Sequence, residues 1–445
     1  MDKTDALFAD SPMESAQPNR GPRPEIVGLV DCNNFYVSCE RLFNPRLARL
    51  PVVVLSNNDG CVVARSNEAK ALGIQMGVPA HTIRNTLTDN HVAVFSSNYA
   101  LYMDMSARVK EVLSQFTPQL EKYSIDECFL NLSSVPADEL DAYGRRIKIT
   151  VERWTGIPVS VGIASTKCLA KLANKIAKKS EKARGVLNLY ESPFLDKALE
   201  QTDVGDIWYV GPAYERMLKE NGISTARELR DAPEHWVKSR MTVVGARIQS
   251  ELKGISCIPL ELIPPAKKMV GTAQGFGVLI ESLEELLEAA ATRASEEALK
   301  LRKEKLAVKE LTVWVQTNHF NQDPQYGDAI EIDLPVATNN TSVLIGCVRA
   351  AVEKLYKNGY RYKRIGINAT KLEPEDTVQG NLFFKPEDGR KPVLMRVIDQ
   401  LNELKGAGTI RMASVGINQR WLTSFERKSP AYTTRISDIP VARVG

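Results

Sequence analysis

The chain has 445 residues, of which 43% are hydrophobic and 25% charged, with a formal net charge of +4. That length exceeds what one hydrophobic core usually supports, so several domains are expected, and the composition excludes a disordered or fibrous protein over most of its length. The mild positive charge is compatible with a nucleic-acid partner without arguing for one, and seven scattered cysteines with no CxxC pair fit reduced thiols in a reducing compartment.

Residues 1–25 carry acids and prolines but no apolar stretch of the kind a signal peptide needs, and are expected to be a disordered extension. No run of about twenty apolar residues predicts a membrane span anywhere. Ile26 to Val30 is an apolar run ending in Asp31, and Pro51 to Leu55 is a second strand candidate, followed by turn-forming residues up to Gly60. Tyr99 to Phe116 reads as a helix, Gln119 to Ser124 and Cys128 to Leu132 as strands, Asp138 to Trp154 as a helix, and Val159 to Ala164 as a strand. With the insert from Phe35 to about Phe95 set aside, the order is β-α-β-β-α-β. This is the split βαβ, ferredoxin-like arrangement, with its first and third strands side by side in an antiparallel sheet.

Thr166 to Lys178 follows as a helix whose Leu169, Leu172, Ala173 and Ile176 form one apolar stripe, while Lys167, Lys171 and Lys178 share nearly one azimuth. Thr202 to Ile255 reads as helical, Pro259 to Pro265 as a linker, Lys267 to Leu372 as a second mixed domain, and Glu373 to Gly380 as a looser polar stretch.

Asp31 ends the first strand, and Asp126 and Glu127 lie in the tight connection into the third, so the topology predicts three carboxylates at one sheet edge. Close carboxylates repel each other unless a cation neutralises them. Magnesium, which prefers oxygen ligands and acts in pairs on phosphoryl groups, is the natural candidate. Acids capping a turn on a solvated rim are the commoner meaning of an isolated Asp-Glu pair.

The surrounding residues decide between these readings. DCNNFYVSCE at Asp31 to Glu40, SNNDGCVVARSNEAKALGIQMGVP at Ser56 to Pro79, YSIDECFLNL at Tyr123 to Leu132 and GIASTKCLAKLANKIAKK at Gly162 to Lys179 together resemble the Y-family DNA polymerases, most closely the UmuC-like branch. The resemblance implies an α+β, multi-domain right-hand polymerase. Its parts would be a ferredoxin-like palm at 26–35 and 92–190, small fingers at 36–91, a helical thumb at 191–265, an α/β little finger at 266–372, and a partner-binding tail at 373–445.

It also implies error-prone translesion synthesis in SOS DNA damage tolerance, by transfer from a dNTP to a primer 3′-hydroxyl. Asp31, Asp126 and Glu127 would be catalytic and, with the Cys32 carbonyl, would ligate two Mg2+ ions. Tyr36 occupies the family's steric-gate position beneath the sugar. Phe35 is disfavoured there, because alternation along an extended segment would turn it away. Arg65, Asn67, Lys70 and Lys178 would meet the triphosphate, Asn67 standing where many relatives have a tyrosine.

Asp206 to Ser224 resembles the thumb's helix-hairpin-helix, with Tyr209 in place of a usual glycine. Lys300, Arg302, Lys303, Lys305, Arg361, Lys363 and Arg364 are expected to contact phosphates. Gln379, Leu382 and Phe383 resemble a peptide that binds the sliding clamp, with Gly380 departing from the usual bulky residue. Further implied partners are primer-template DNA, a processed UmuD-like dimer and a RecA filament, with no membrane. The implied location is the bacterial cytoplasm, at the nucleoid when on DNA. A nucleotide cyclase shares the palm-like sheet and its paired acids but lacks the other motifs. A non-catalytic scaffold that restrains RecA recombination is a second alternative, against which the intact acids count.

Overall fold

The computed structural model describes residues 25–380, 383, 390–439 and 441, so most of the predicted extension and Leu382 lie outside the described residues. The chain divides into two compact units. One joins the residues up to Phe35 with Met103–Leu262, and the other joins Tyr36–Tyr102 with the residues from Ile263 onward.

The first unit is organised by a five-stranded sheet, in the order Leu120–Lys122, Glu127–Asn131, Val27–Cys32, Val159–Ala164, Val186–Asn188. Val27–Cys32 is central because nearly all its residues are buried, and it pairs antiparallel with Glu127–Asn131 on one side and Val159–Ala164 on the other. The first and third strands of the predicted split βαβ are therefore neighbours. The helix Leu140–Thr155 turns Leu140, Gly144, Ile147 and Val151 inward at helical spacing and stops at Gly156, whose φ of 71° suits a residue without Cβ.

The helix Lys167–Lys179 starts where the Thr166 hydroxyl accepts from the Leu169 amide at 3.2 Å, a cap that fixes its first turn. It lies unusually close to the sheet. Buried Asn174 donates to the carbonyls of Ser160 (2.7 Å) and Leu29 (3.3 Å), and Gly162 leaves the space that the helix backbone fills. The expected helical region after Thr202 is three helices, Pro212–Glu220, Ala226–Asp231 and Glu234–Leu252. Leu218, Leu229, Val237 and Ile248 share one core with Leu169 and Ala173.

The second unit contains a three-stranded sheet ordered Val62–Arg65, Val52–Leu55, Ala93–Ser96. It also holds a four-stranded sheet ordered Gly327–Thr338, Leu306–Thr317, Tyr362–Pro374, Val270–Ile280. Helices Leu283–Lys303 and Thr341–Leu355 cover the larger sheet; Ala289, Ala290, Ala291, Ala294 and Ala298 line the first helix's buried face, small residues that let it pack closely.

The C-terminal residues belong to this unit. The helix Arg390–Lys405 is tied down by a bidentate pair, Arg302 to Asp399 at 2.6 and 2.8 Å, which removes Arg302 from the expected phosphate contacts. Lys300 and Lys363 likewise donate to the carbonyls of Gly271 and Phe276. Trp421 is buried edge-on to Phe276, and from there the chain crosses to the smaller sheet. Lys428 bridges Ser96, and Asn98 donates to the carbonyls of Ser429 (3.1 Å) and Pro430 (3.2 Å).

One buried acid makes this unit sensitive to pH. Glu297 is fully buried and neither carboxylate oxygen accepts a hydrogen bond, the nearby Thr272 hydroxyl donating instead to the Arg293 carbonyl. Burial pushes its carboxyl from the ordinary 4.5 up to about 7. The folded state thus binds the proton more tightly than the unfolded chain. Its stabilising effect is complete below about 4.5 and is lost as pH rises to about 7, a difference of roughly 2 to 3 kcal/mol. Glu297→Gln is expected to raise the melting temperature at pH 8 and leave it nearly unchanged at pH 4.5. Equal shifts at the two pH values, followed by circular dichroism, would refute this.

Candidate active site

Asp31 sits at the end of the central strand with Glu127 directly opposite in the register, so Glu127 opens the third strand rather than lying in the connection before it. The Cys32 amide donates to the Asp126 carbonyl at 2.9 Å, locking the preceding turn against the same edge. Ser124 tightens that turn: its hydroxyl donates to the Asp126 carboxylate (2.6 Å) and accepts from the amides of Asp126 (3.2 Å) and Glu127 (3.0 Å). Pairing geometry alone sets Asp31 opposite Glu127 and brings the Asp126 backbone to the same sheet edge.

Lysines of the helix Lys167–Lys179 face these acids. Lys178 pairs with Asp31 at 2.5 Å and Lys171 with Glu127 at 2.7 Å, while Lys175 pairs with Asp206. Lys167, on the same azimuth, departs from the expected cationic face. It is buried and pairs with Glu121 at 2.5 Å. Lys171 also lies 4.7 Å from the Tyr123 ring centre and 5.5 Å from Trp208, whose indole N–H donates to the Tyr123 hydroxyl at 3.2 Å. Cation–π attraction and the ion pair both hold its ammonium in place.

Asp31, Glu127 and Asp206 line a cavity of about 300 Å³ with Lys171, Lys175 and Lys178, and Trp208 and Ile207 form its apolar wall. Burial pushes the Asp31 carboxyl up to about 6; Lys178 opposes the rise, and Glu127 and Asp126 add to it. Asp31 is thus an anion held at a site that favours neutral groups, relieved in part by one lysine. Among the described residues no three His, Cys, Asp or Glu side chains are grouped closely enough to hold an ion.

Tyr36, Arg65, Asn67 and Lys70 belong to the other unit. Phe35 and Tyr36 open the helix Phe35–Phe43, so the extended alternation used to choose between them does not apply. Burial separates them instead, since Phe35 is 4% exposed and Tyr36 only half-buried. Asn67 begins the short helix Asn67–Ala71, capped by Ser66, and accepts from Lys70 at 3.3 Å. Arg65 donates to the Ile74 carbonyl.

Tyr209 has φ 68°, the left-handed region that favours glycine, which accounts for the glycine expected there. Phe383 is 90% exposed. Sequence reasoning passed over Ser124, Lys175, Asp206 and Trp208. Lys175 could have been found from its i,i+4 relation to Lys171, but its partner lies on a different segment.

Residues 30–175 match the impB/mucB/samB family, residues 267–382 the family's C-terminal domain, and residues 392–442 a domain of unknown function. Protein ImpB of Salmonella typhimurium is 38% identical over 426 residues, covering 94% of this chain and 100% of that protein. Protein UmuC of the same species, strain LT2, is 38% identical over 419 residues, covering 93% and 99%. DNA polymerase IV of Desulfatibacillum aliphaticivorans is 26% identical, covering 87% and 96%. A solved Y-family DNA polymerase chimera, Dbh-Dpo4(243-245)-Dbh, superposes with a TM-score of 0.63 at 20% identity, covering 78% of this chain and 98% of the other. Its likeness bears on fold, and the sequence relatives bear on descent. With these matches and the ferredoxin-like sheet that carries the three acids, the chain belongs to the impB/mucB/samB family, is UmuC-like over nearly its whole length, and has the fold of a Y-family DNA polymerase.

Proposed function

We propose that this protein performs template-directed, error-prone translesion DNA synthesis in SOS damage tolerance, transferring a nucleotide from a dNTP to a primer 3′-hydroxyl. The observation that carries the reading is the sheet edge where Asp31 and Glu127 meet lysines of one helix, with Asp126 in the turn beside them. The donor chemistry suits a pair of magnesium ions, since the oxygens are hard and Asp31, pushed up to about 6, is an anion that a neighbouring cation would stabilise; the three carboxylates, now held by Lys178, Ser124 and Lys171, would have to turn together to take them. When bound, the ions would make the 3′-hydroxyl a better nucleophile and neutralise charge on the leaving pyrophosphate.

The chain's own residues supply placement. Asp31, Asp126, Glu127 and the Cys32 carbonyl would hold the ions, while Lys171 keeps the Glu127 carboxylate oriented. Lys178 is about one-third exposed beside Asp31, so it can exchange that carboxylate for the triphosphate. Arg65, Asn67 and Lys70 are assigned to the triphosphate, and Tyr36 to the sugar, on the motif match. Primer extension opposite an abasic site, with and without a UmuD-like dimer and a RecA filament, tests the reading. DNA binding without extension under every condition would favour the scaffold alternative.

Gln379, Leu382 and Phe383 are proposed to bind the sliding clamp, a role that suits the exposed Phe383 ring. Each of the two apolar side chains would contribute roughly 1.5 to 3 kcal/mol before the ordering cost is subtracted, so a net micromolar affinity is expected. Replacing Leu382 and Phe383 with alanine should abolish clamp-stimulated synthesis and spare unstimulated extension. Equal loss of both activities would mean that the pair serves synthesis itself and not the clamp.

A further inference from the structure

The Tyr36 ring is held by a chain of contacts that reaches the C-terminal segment. It stacks on Tyr102, centres 4.3 Å apart and planes 14° from parallel, and meets Tyr99 edge-on at 6.3 Å. Tyr102 is fully buried, and its hydroxyl donates to Glu40 Oε1 at 2.6 Å. The Ser429 hydroxyl donates to the same oxygen at 3.0 Å. Asn98, one turn before Tyr102, donates to the Ser429 hydroxyl at 2.9 Å and to its carbonyl, which fixes the serine.

A buried carboxylate is costly even when hydrogen-bonded, and an apolar side chain would fill the space beneath Tyr102 more favourably. Glu40 instead collects two hydroxyls that come from segments distant in sequence and aims them at one point. Anchoring the Tyr102 hydroxyl fixes the axis of that side chain, the edge-on Tyr99 ring sets its plane, and the Tyr36 ring stacks on the face so placed. A ring that discriminates between sugars has to be placed within a fraction of an ångström, because the ribose 2′-hydroxyl adds a single oxygen atom.

We propose that Tyr102, Glu40 and Ser429 are positioning residues for the Tyr36 ring, so that the C-terminal segment takes part in discriminating dNTP from rNTP. This rests on the assignment of Tyr36 to the sugar.

The test is single-nucleotide incorporation by the full chain, comparing kcat/KM for a dNTP and the matching rNTP, with the folded state of each variant checked by thermal melting. Glu40→Leu removes the shared acceptor and should lower the preference for dNTP about tenfold, mostly through a lower KM for the rNTP. Glu40→Gln keeps a carbonyl oxygen able to accept from both hydroxyls and should restore the preference. Ser429→Ala, which removes one buried hydroxyl and little volume, should lower it about threefold, and Tyr102→Phe should resemble Glu40→Leu. A purely structural role would lower use of both nucleotides together and leave their ratio alone; that result overturns the proposal. Tyr36→Ala is measured in parallel. If it relaxes sugar choice while the other variants do not, positioning fails and the Tyr36 assignment survives. If it has no effect, the assignment fails and the proposal falls with it.

Discussion

Asp126→Asn and Glu127→Gln are each expected to abolish primer extension while leaving the fold and DNA affinity in place. Each replacement conserves shape and the hydrogen bonds seen in the structure: an asparagine oxygen can still accept from Ser124, and a glutamine oxygen from Lys171. What disappears is a full negative charge at the strand edge. Losing its interaction with two divalent ions should raise the barrier by several kcal/mol, a factor of about a thousand in rate. Both positions lie at the rim of the sheet, not in the core, so the melting temperature should stay near that of the unaltered chain. Residual extension above about a tenth of the starting activity would sink the assignment, as would loss of fold together with activity.

Gly162→Ala should do the opposite and damage the fold first. A Cβ on Gly162 would sit 2.8 Å from the Asn174 Cα and closer still to the Asn174 amide nitrogen and the Ala170 carbonyl oxygen. These are backbone atoms of the helix Lys167–Lys179, which cannot rotate aside as a flexible side chain would. The helix must therefore be displaced, breaking the two hydrogen bonds from Asn174 to the strands beneath. Overpacking against backbone in a closed core is expected to cost at least about 3 kcal/mol. Lys171 and Lys178 would move with the helix, so synthesis should fail even at temperatures where the protein remains folded. A denaturant midpoint unchanged within error would show that the helix can shift freely.

Much of this was readable in the residues because the information is local. Alternating and continuous apolar runs gave the strands around Asp31 and Glu127, and β-α-β-β-α-β order then dictated which two became neighbours, so the acids met without any tertiary knowledge. The lysine spacing on one helix was equally plain. Three things were not local. Lys167 shares the lysine azimuth yet is buried against Glu121, because the helix lies so close to the sheet that its first turn is covered. Asp206 meets Lys175 only through the fold of the segment that follows the sheet. Asp399, the partner of Arg302, comes from a helix near the C-terminus, and nothing in a basic run reveals which of its members already has an acid. Alternation cannot separate Tyr36 from Phe35, because the backbone there is helical, and the two differ instead in burial.

The cover that the C-terminal segment provides also sets an order of events during synthesis of the chain. Asn98 is made 331 residues before the serine that receives its hydrogen bonds. At about 5 to 20 residues per second, the ribosome needs roughly twenty seconds to a minute to bring Ser429 into being. Throughout that interval Glu40, Asn98 and the edge of the Ala93–Ser96 strand stand open to water, chaperones and proteases. A message that ends early, or a nick before Trp421, leaves a buried carboxylate and a strand edge uncovered together.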